Sequence, residues 1–138
     1  MSDAGFGISG VAVVRAADAM LRSLGGDEVS LLFAATAVPD DPSVQLGLVD
    51  PGVEEVQFSP VVVRNLPATG SGPRIRQEFL LSGSAVAGVV VDRNVASAQE
   101  LFDGALGLTH DGALLHIESV ATEYFAGTAY LYRVVGVE

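Results

Sequence analysis

The apolar residues of this chain come in runs no longer than a β-strand, and that limits the fold more than any other feature. Apolar types make up 49% of the 138 residues. No run approaches the roughly 18 apolar residues of a membrane-spanning helix. Between the runs stand Gly, Pro, Asn and Asp, the residues that end strands and set turns. Six segments read as strands: 28–36, 54–65, 76–82, 106–110, 113–121 and 129–137. Asp111-Gly112 between two of them is a strong two-residue hairpin signal. Pro60 lacks an N–H, which places the early part of its strand on a sheet edge or at a bulge.

Two segments follow helical spacing instead. Ser9 is suited to cap a helix from Gly10 to Leu24, with Val11, Val14, Ala17, Leu21 and Leu24 along one face. Arg15, Asp18 and Arg22 lie opposite, where Asp18 and Arg22 are spaced to pair. Gly25-Gly26 ends this helix. Ser97-Ala-Gln-Glu100 matches a capping box, predicting a short helix near 97–106 with Leu101, Phe102 and Ala105 inside. Val86–Val91 is β-branched and strongly apolar, and Ser84 within Ser82-Gly-Ser-Ala reads as a bend or bulge in a strand. Residues 39–51 and 67–73 read as loops, rich in Pro with Asp or Gly. The expected fold is α+β and mainly β: a small antiparallel barrel or sandwich of about six strands with these two helices. Residues 1–9 read as a flexible arm and 10–138 as a single domain.

Charge and composition narrow the function. The net charge is −10, there is no Cys, and the chain holds two His. Without Cys there is no disulfide, thiolate metal site or Cys nucleophile. All seven basic residues are Arg, scattered from Arg15 to Arg133, and only Arg74 and Arg76 stand close together. Nucleic-acid binding calls for a basic patch, so direct contact with DNA or RNA is not expected. The N-terminus Met1-Ser2-Asp3-Ala4 lacks the basic start of a signal peptide. The mean hydropathy of +0.44 is high for a small domain and implies either an efficient core or surface hidden against partners.

No set of residues reads as catalytic, metal-binding or cofactor-binding. Gly5-Phe-Gly-Ile-Ser-Gly10 has the dinucleotide spacing, but too few residues precede it to form the strand that the fingerprint requires. Across the Asp111-Gly112 turn His110 pairs with Ala113, so His110 and His116 fall on opposite faces and cannot share a metal. Ser82 and Ser84 have no base placed for them by sequence, and no Gly-x-Ser-x-Gly elbow is present. Asp40-Asp41 and Glu54-Glu55 read as solvated carboxylates, and Asp40, Asp41 and Asp50 lack calcium-loop spacing. A ligand-binding barrel with an apolar cavity among Val62, Phe79, Leu115 and Leu131 is the alternative to a protein that works through partners.

The aromatic residues of the last third supply candidate interface positions: Tyr124, Phe125, Tyr130 and Tyr132, with Phe6 and Ile8 of the N-terminal arm. Tyr130 and Tyr132 share one face if the strand alternates regularly. The stretch from Leu108 to Val135 runs Asp-Gly, a strand with Ile117-Glu-Ser-Val120, a short loop ending in Gly127, and the Tyr-rich strand. It resembles the closing hairpin of small phage and prophage head–tail joining proteins. The resemblance implies a structural adaptor that acts by ring assembly, without catalysis or cofactors. It also implies homo-oligomeric and other phage structural partners, and a location in the bacterial cytoplasm or the virion.

Overall fold

The computed structural model of the protein describes residues 9–35, 52–68 and 74–138. Helix α1, Gly10–Leu24, begins where Ser9 Oγ accepts from the Ala12 amide at 3.1 Å. Strands β1 (Asp27–Ala34), β2 (Val53–Asn65) and β3 (Arg76–Ser82) follow. Helices α2 (Gly83–Asp92) and α3 (Ala98–Asp103) come next. Strands β4 (Gly107–His110), β5 (Ala113–Phe125) and β6 (Thr128–Val137) complete the described residues.

The six strands form a closed antiparallel barrel in the order β1-β2-β3-β6-β5-β4, with β4 returning to β1. Two long strands make the corners by changing partners. β2 pairs with β1 through residues 53–61 and with β3 through 62–65. β5 pairs with β4 through 113–115 and with β6 from His116 onward. Each change lies at an irregularity, which is how a strand bends between two sheets. In β2 the register shifts where Asp27 faces Val61 and Val29 faces Phe58, with the cis Ser59–Pro60 bond between. Pro60 therefore sits at a bulge, one of the two settings its missing donor allows. In β5 the shift falls between Ile117 and Ser119.

Alternation along the strands fills the interior. Val29, Leu31, Phe33, Phe58, Val61, Phe79, Leu81, Leu108, Leu115 and Val134 are all buried in one cluster. Val86 of α2 and Leu101 and Phe102 of α3 join it. α1 packs instead on the outer wall of β2, β3 and β6, burying Ala17 and Leu21. Val11 and Leu24, at the helix ends, stay exposed, so its buried stripe is shorter than its apolar pattern. Asp18 bonds to α2 instead of pairing with Arg22: its carboxylate accepts from Ser82 Oγ at 2.6 Å and Ser84 Oγ at 2.8 Å, tying α1 to the start of α2.

Residues 83–92 are helical, where the reading of Ser84 made them a bent strand. Ser82 Oγ accepts from the Ala85 amide and opens the helix. At its end Asn94 adopts φ 55°, Val95 N–H donates to Val90 O, and Asn94 N–H to Val91 O. That is a complete Schellman close, for which Asn is one of the few suitable non-Gly residues. Capping at both ends and burial of Val86 outweigh the β preference of the Val residues, which amounts to only a few tenths of a kcal/mol each. α3 is shorter than expected. Its box is made by Ser97 Oγ on the Glu100 amide, while Glu100 reaches the Ala96 amide rather than that of Ser97.

Candidate interaction surface

The two hairpins around β5 decide where the aromatic residues go. At Asp111-Gly112 φ is 49° and 79°, the paired positive values of a type I′ turn. Ala126-Gly127 makes a second such turn, at 50° and 78°. The strands therefore continue to Phe125 and resume at Thr128, so the loop expected between 121 and 129 is strand. No Asn or Asp marks this turn, which is why it escapes a sequence reading.

A second irregularity lies near its tip. Glu123 faces Leu131 and Tyr124 faces Ala129, so β6 has the extra residue, Tyr130. This breaks the alternation that would set Tyr130 and Tyr132 on one face. Tyr132 belongs to the core, 8% exposed, with its ring 5.9 Å from that of Phe102. Burial pushes its hydroxyl up in pKa, with a smaller push from Tyr124. Tyr132 is thus removed from the candidate surface. Tyr130 is half-buried. Tyr124 is 66% exposed and Phe125 39%, both at the tip. α1 begins beside them: a Cβ on Gly10 would meet Thr128 Oγ1 at 2.3 Å and Phe125 O at 3.5 Å. The surface therefore gathers Tyr124 and Phe125 with exposed Val11, the neighbour of Gly10, at one end of the barrel. Phe6 and Ile8, and with them most of the 1–9 arm and the Gly5–Gly10 motif, lie outside the described residues. So do Asp40, Asp41, Asp50 and nearly all of the two expected loops.

The remaining candidates resolve into structural contacts. His110 does share the face of Ala113, and that face points into the barrel. Its ring stands edge-on to Phe79 at 5.4 Å, and Nε2 lies 3.0 Å from Asp27 Oδ2. The His110 hydrogen bond, then the Glu28 amide, hold the Asp27 carboxyl below its ordinary value, against a smaller opposing effect of burial. Sequence offers no signal for this pair, whose partners are 83 residues apart. His116 is exposed on the other face, as expected from the register. Ser82 and Ser84 meet a carboxylate, but Asp18 here fastens a helix cap and no histidine stands with them as in a nucleophilic triad. Glu54 and Glu55 are exposed on β2, with Glu54 3.6 Å from Arg93, whose guanidinium lies over Phe33 at 4.0 Å.

The outer wall carries a charge ladder that no local pattern announces. Glu78 on β3 is 9% exposed, with Oε1 2.5 Å from Arg64 Nη2 and 3.6 Å from Arg133 Nη1. That oxygen makes no aligned hydrogen bond, so its compensation is the charge of the two guanidinium groups. Arg133 also reaches Glu123, and Arg76 makes a two-pronged contact with Glu118. Three of the seven Arg are thus occupied across the β2-β3-β6-β5 wall.

The proposed cavity residues do not surround one space. Phe79 and Leu115 point inward, whereas Val62 pairs with Leu80 and Leu131 with Ser82 on the outer face. Among the described residues no group of three or more His, Cys, Asp or Glu is placed to hold a metal, and no helix is long and apolar enough to cross a membrane. Comparison of the chain with protein-family models, with curated proteins and with solved structures finds no match.

Proposed function

We propose that this protein is a structural adaptor that works by assembly, as a ring subunit of the head–tail joining or tail-completion kind in a phage or prophage particle. One observation carries the reading. The barrel interior is filled by its own side chains, while large apolar residues stand exposed at well-separated places. Tyr124, Phe125 and Val11 occupy the hairpin end, and Val91 lies exposed at the far end of α2. A ring joins unlike surfaces head to tail, so each subunit needs two different patches. The resemblance of the C-terminal hairpin to that of head–tail joining proteins gives the assembly its kind. The acidic charge keeps free subunits apart until a specific contact overcomes the repulsion.

The test is mass by light scattering over a concentration series, alone and with a portal-type ring from the same particle. A defined ring-sized oligomer in either condition, lost in a Tyr124→Ser/Phe125→Ser double variant of unchanged thermal stability, is expected. A monomer in both conditions, or an oligomer indifferent to both substitutions, overturns the reading.

A further inference from the structure

Four of the seven Arg are held in ion pairs with Glu: Arg64, Arg76, Arg93 and Arg133. Among the described residues Arg15, Arg22 and Arg74 make no such pair, and the first two stand on α1. The exposed side of α1 is a flat strip of Ala12, Ala16, Ala19 and Ser23. Arg15 and Arg22 run along one flank of the strip, and Met20 lies on the other. The helix has one carboxylate, Asp18, which the Ser82 and Ser84 hydroxyls hold on the half-buried side. α1 thus turns a small-residue, positively charged face outward from a chain of net charge −10. At its start Val11 joins that face to the Tyr124–Phe125 tip.

The opposite side of the barrel carries the complement. α1 covers the wall of β2, β3 and β6, and the strand order sets β1 and β4 across the barrel from β6 and β3. Val29 and Leu31 point inward, so Glu28 and Ser30 point outward. Ser30 lies between Gln57 and Thr109, and Thr109 faces Leu114, so short side chains floor a groove of about 520 Å3. Asp27, Glu28, Glu55 and Asp111 line it, and its one basic group is His110. His110 meets Asp27, and Glu28 meets only the uncharged Gln57 amide. Unlike the Glu residues of the charge ladder, none of these four carboxylates pairs with an Arg among the described residues. All seven Arg lie within the described residues and the chain has no Lys, so no other segment can neutralise the groove.

Resting on the assembly reading above, we infer that copies of this chain join head to tail, with the outer face of α1 on one copy seated in the β1–β4 groove of the next. Charge selects this occupant. Two α1 faces together would oppose Arg to Arg, and two grooves would oppose carboxylate to carboxylate. Only unlike pairing brings Arg15 and Arg22 to Glu28, Glu55 and Asp111. The small strip lets the helix approach the wall closely, and exposed Met20 and Leu114 add apolar area from the two sides. The two surfaces lie on opposite sides of the barrel. Each added copy therefore leaves one of each kind open, which is how a head-to-tail series continues.

The test uses the full chain and reverses charge at exposed positions on each side. Arg15→Glu/Arg22→Glu alters α1, and Glu28→Arg/Glu55→Arg alters the groove. Either pair alone should weaken self-association, followed by light scattering, at least about tenfold, as expected for like charges brought together. An equal mixture of the two variants, or one chain carrying all four substitutions, should restore it. Because the chain has no Cys of its own, two single-Cys variants report the contact directly. With a short thiol crosslinker, Ala19→Cys should join to Leu114→Cys, and neither should join to itself. Crosslinks between like variants, no crosslink in the mixture, or association indifferent to every reversal overturns the inference. Like-to-like crosslinks would mean a symmetric dimer, and the absence of any would give the two surfaces to other proteins or to the N-terminal arm. A ring that forms without regard to the reversals removes only this contact. The Ala19–Leu114 crosslink in a protein that forms no ring, alone or with the portal-type ring, removes only the ring.

Discussion

Replacing Gly83 by Ala and Gly88 by Ala should move the stability of the protein in opposite directions, although both residues belong to α2. In a helix Ala is favoured over Gly by about 0.5–1 kcal/mol, because Gly loses more backbone freedom on folding. At Gly88 an added methyl meets nothing within 4 Å, so the full gain is expected. At Gly83 the same methyl would stand 2.3 Å from Ala129 O and 2.8 Å from the Tyr130 backbone. Those atoms are β6 backbone, with Ala129 paired to Tyr124, and backbone does not yield as a flexible side chain would. Forcing extra volume into a packed site costs about 1–3 kcal/mol, and backbone obstacles belong at the upper end. Taking about 3 kcal/mol of strain against about 1 kcal/mol of helix preference leaves a net loss of about 2 kcal/mol. For a domain of this size 1 kcal/mol moves Tm by roughly 3 °C. Thermal unfolding followed by circular dichroism should show Gly88→Ala melting about 2–3 °C higher and Gly83→Ala about 6 °C lower. A Gly83→Ala protein as stable as the parent would refute the close approach of α2 to β6.

Ala126 adopts φ 50°, where a Cβ costs about 1 kcal/mol, so Ala126→Gly should raise Tm by roughly 3 °C, and an unchanged or lower Tm would count against the type I′ turn. Asp27, held low in pKa by His110, stabilises the fold while its carboxylate is charged; the contribution is complete above its ordinary value of 3.8 and disappears as pH falls through the lower folded value. Asp27→Asn should therefore weaken the fold at neutral pH and flatten its acid limb below about pH 4, which denaturant titrations at several pH values would measure. Phe79, fully buried between Val63 and Val134, should cost about 3–5 kcal/mol on truncation to Ala, seen as a lower denaturant midpoint; a loss below 1 kcal/mol would mean the barrel interior is not packed.

Much of the architecture was legible in local pattern. Ser9 and Ser97 cap helices because a side-chain oxygen next to an amide run acts within one turn, and Asp111-Gly112 turns because both residues tolerate positive φ. From that turn the register follows, and with it the inward face of His110 and the outward face of His116, since the strand period is two. The mainly β barrel of six strands with an N-terminal helix was readable from the spacing of apolar runs and turn residues. Which of the four aromatic residues stay at the surface was not, because it depends on the Ala126-Gly127 turn, whose Ala carries no turn signature, and on the extra residue in β6.

What only the tertiary structure decided are the matters settled by groups distant in sequence. Residues 83–92 became helix because Asp18 and β6 meet the Ser82 cap, against the β preference of the Val residues themselves. Tyr132 became core because it shares the inward face of Val134, while the extra residue in β6 takes Tyr130 off that face. The Asp27–His110 pair and the Glu78 clamp likewise exist only once strands distant in sequence are brought side by side. Local sequence determines what a residue can do with its neighbours a few positions away. Which part of β5 pairs with β4 and which with β6 depends on where β4 stops, and that is a property of the closed barrel.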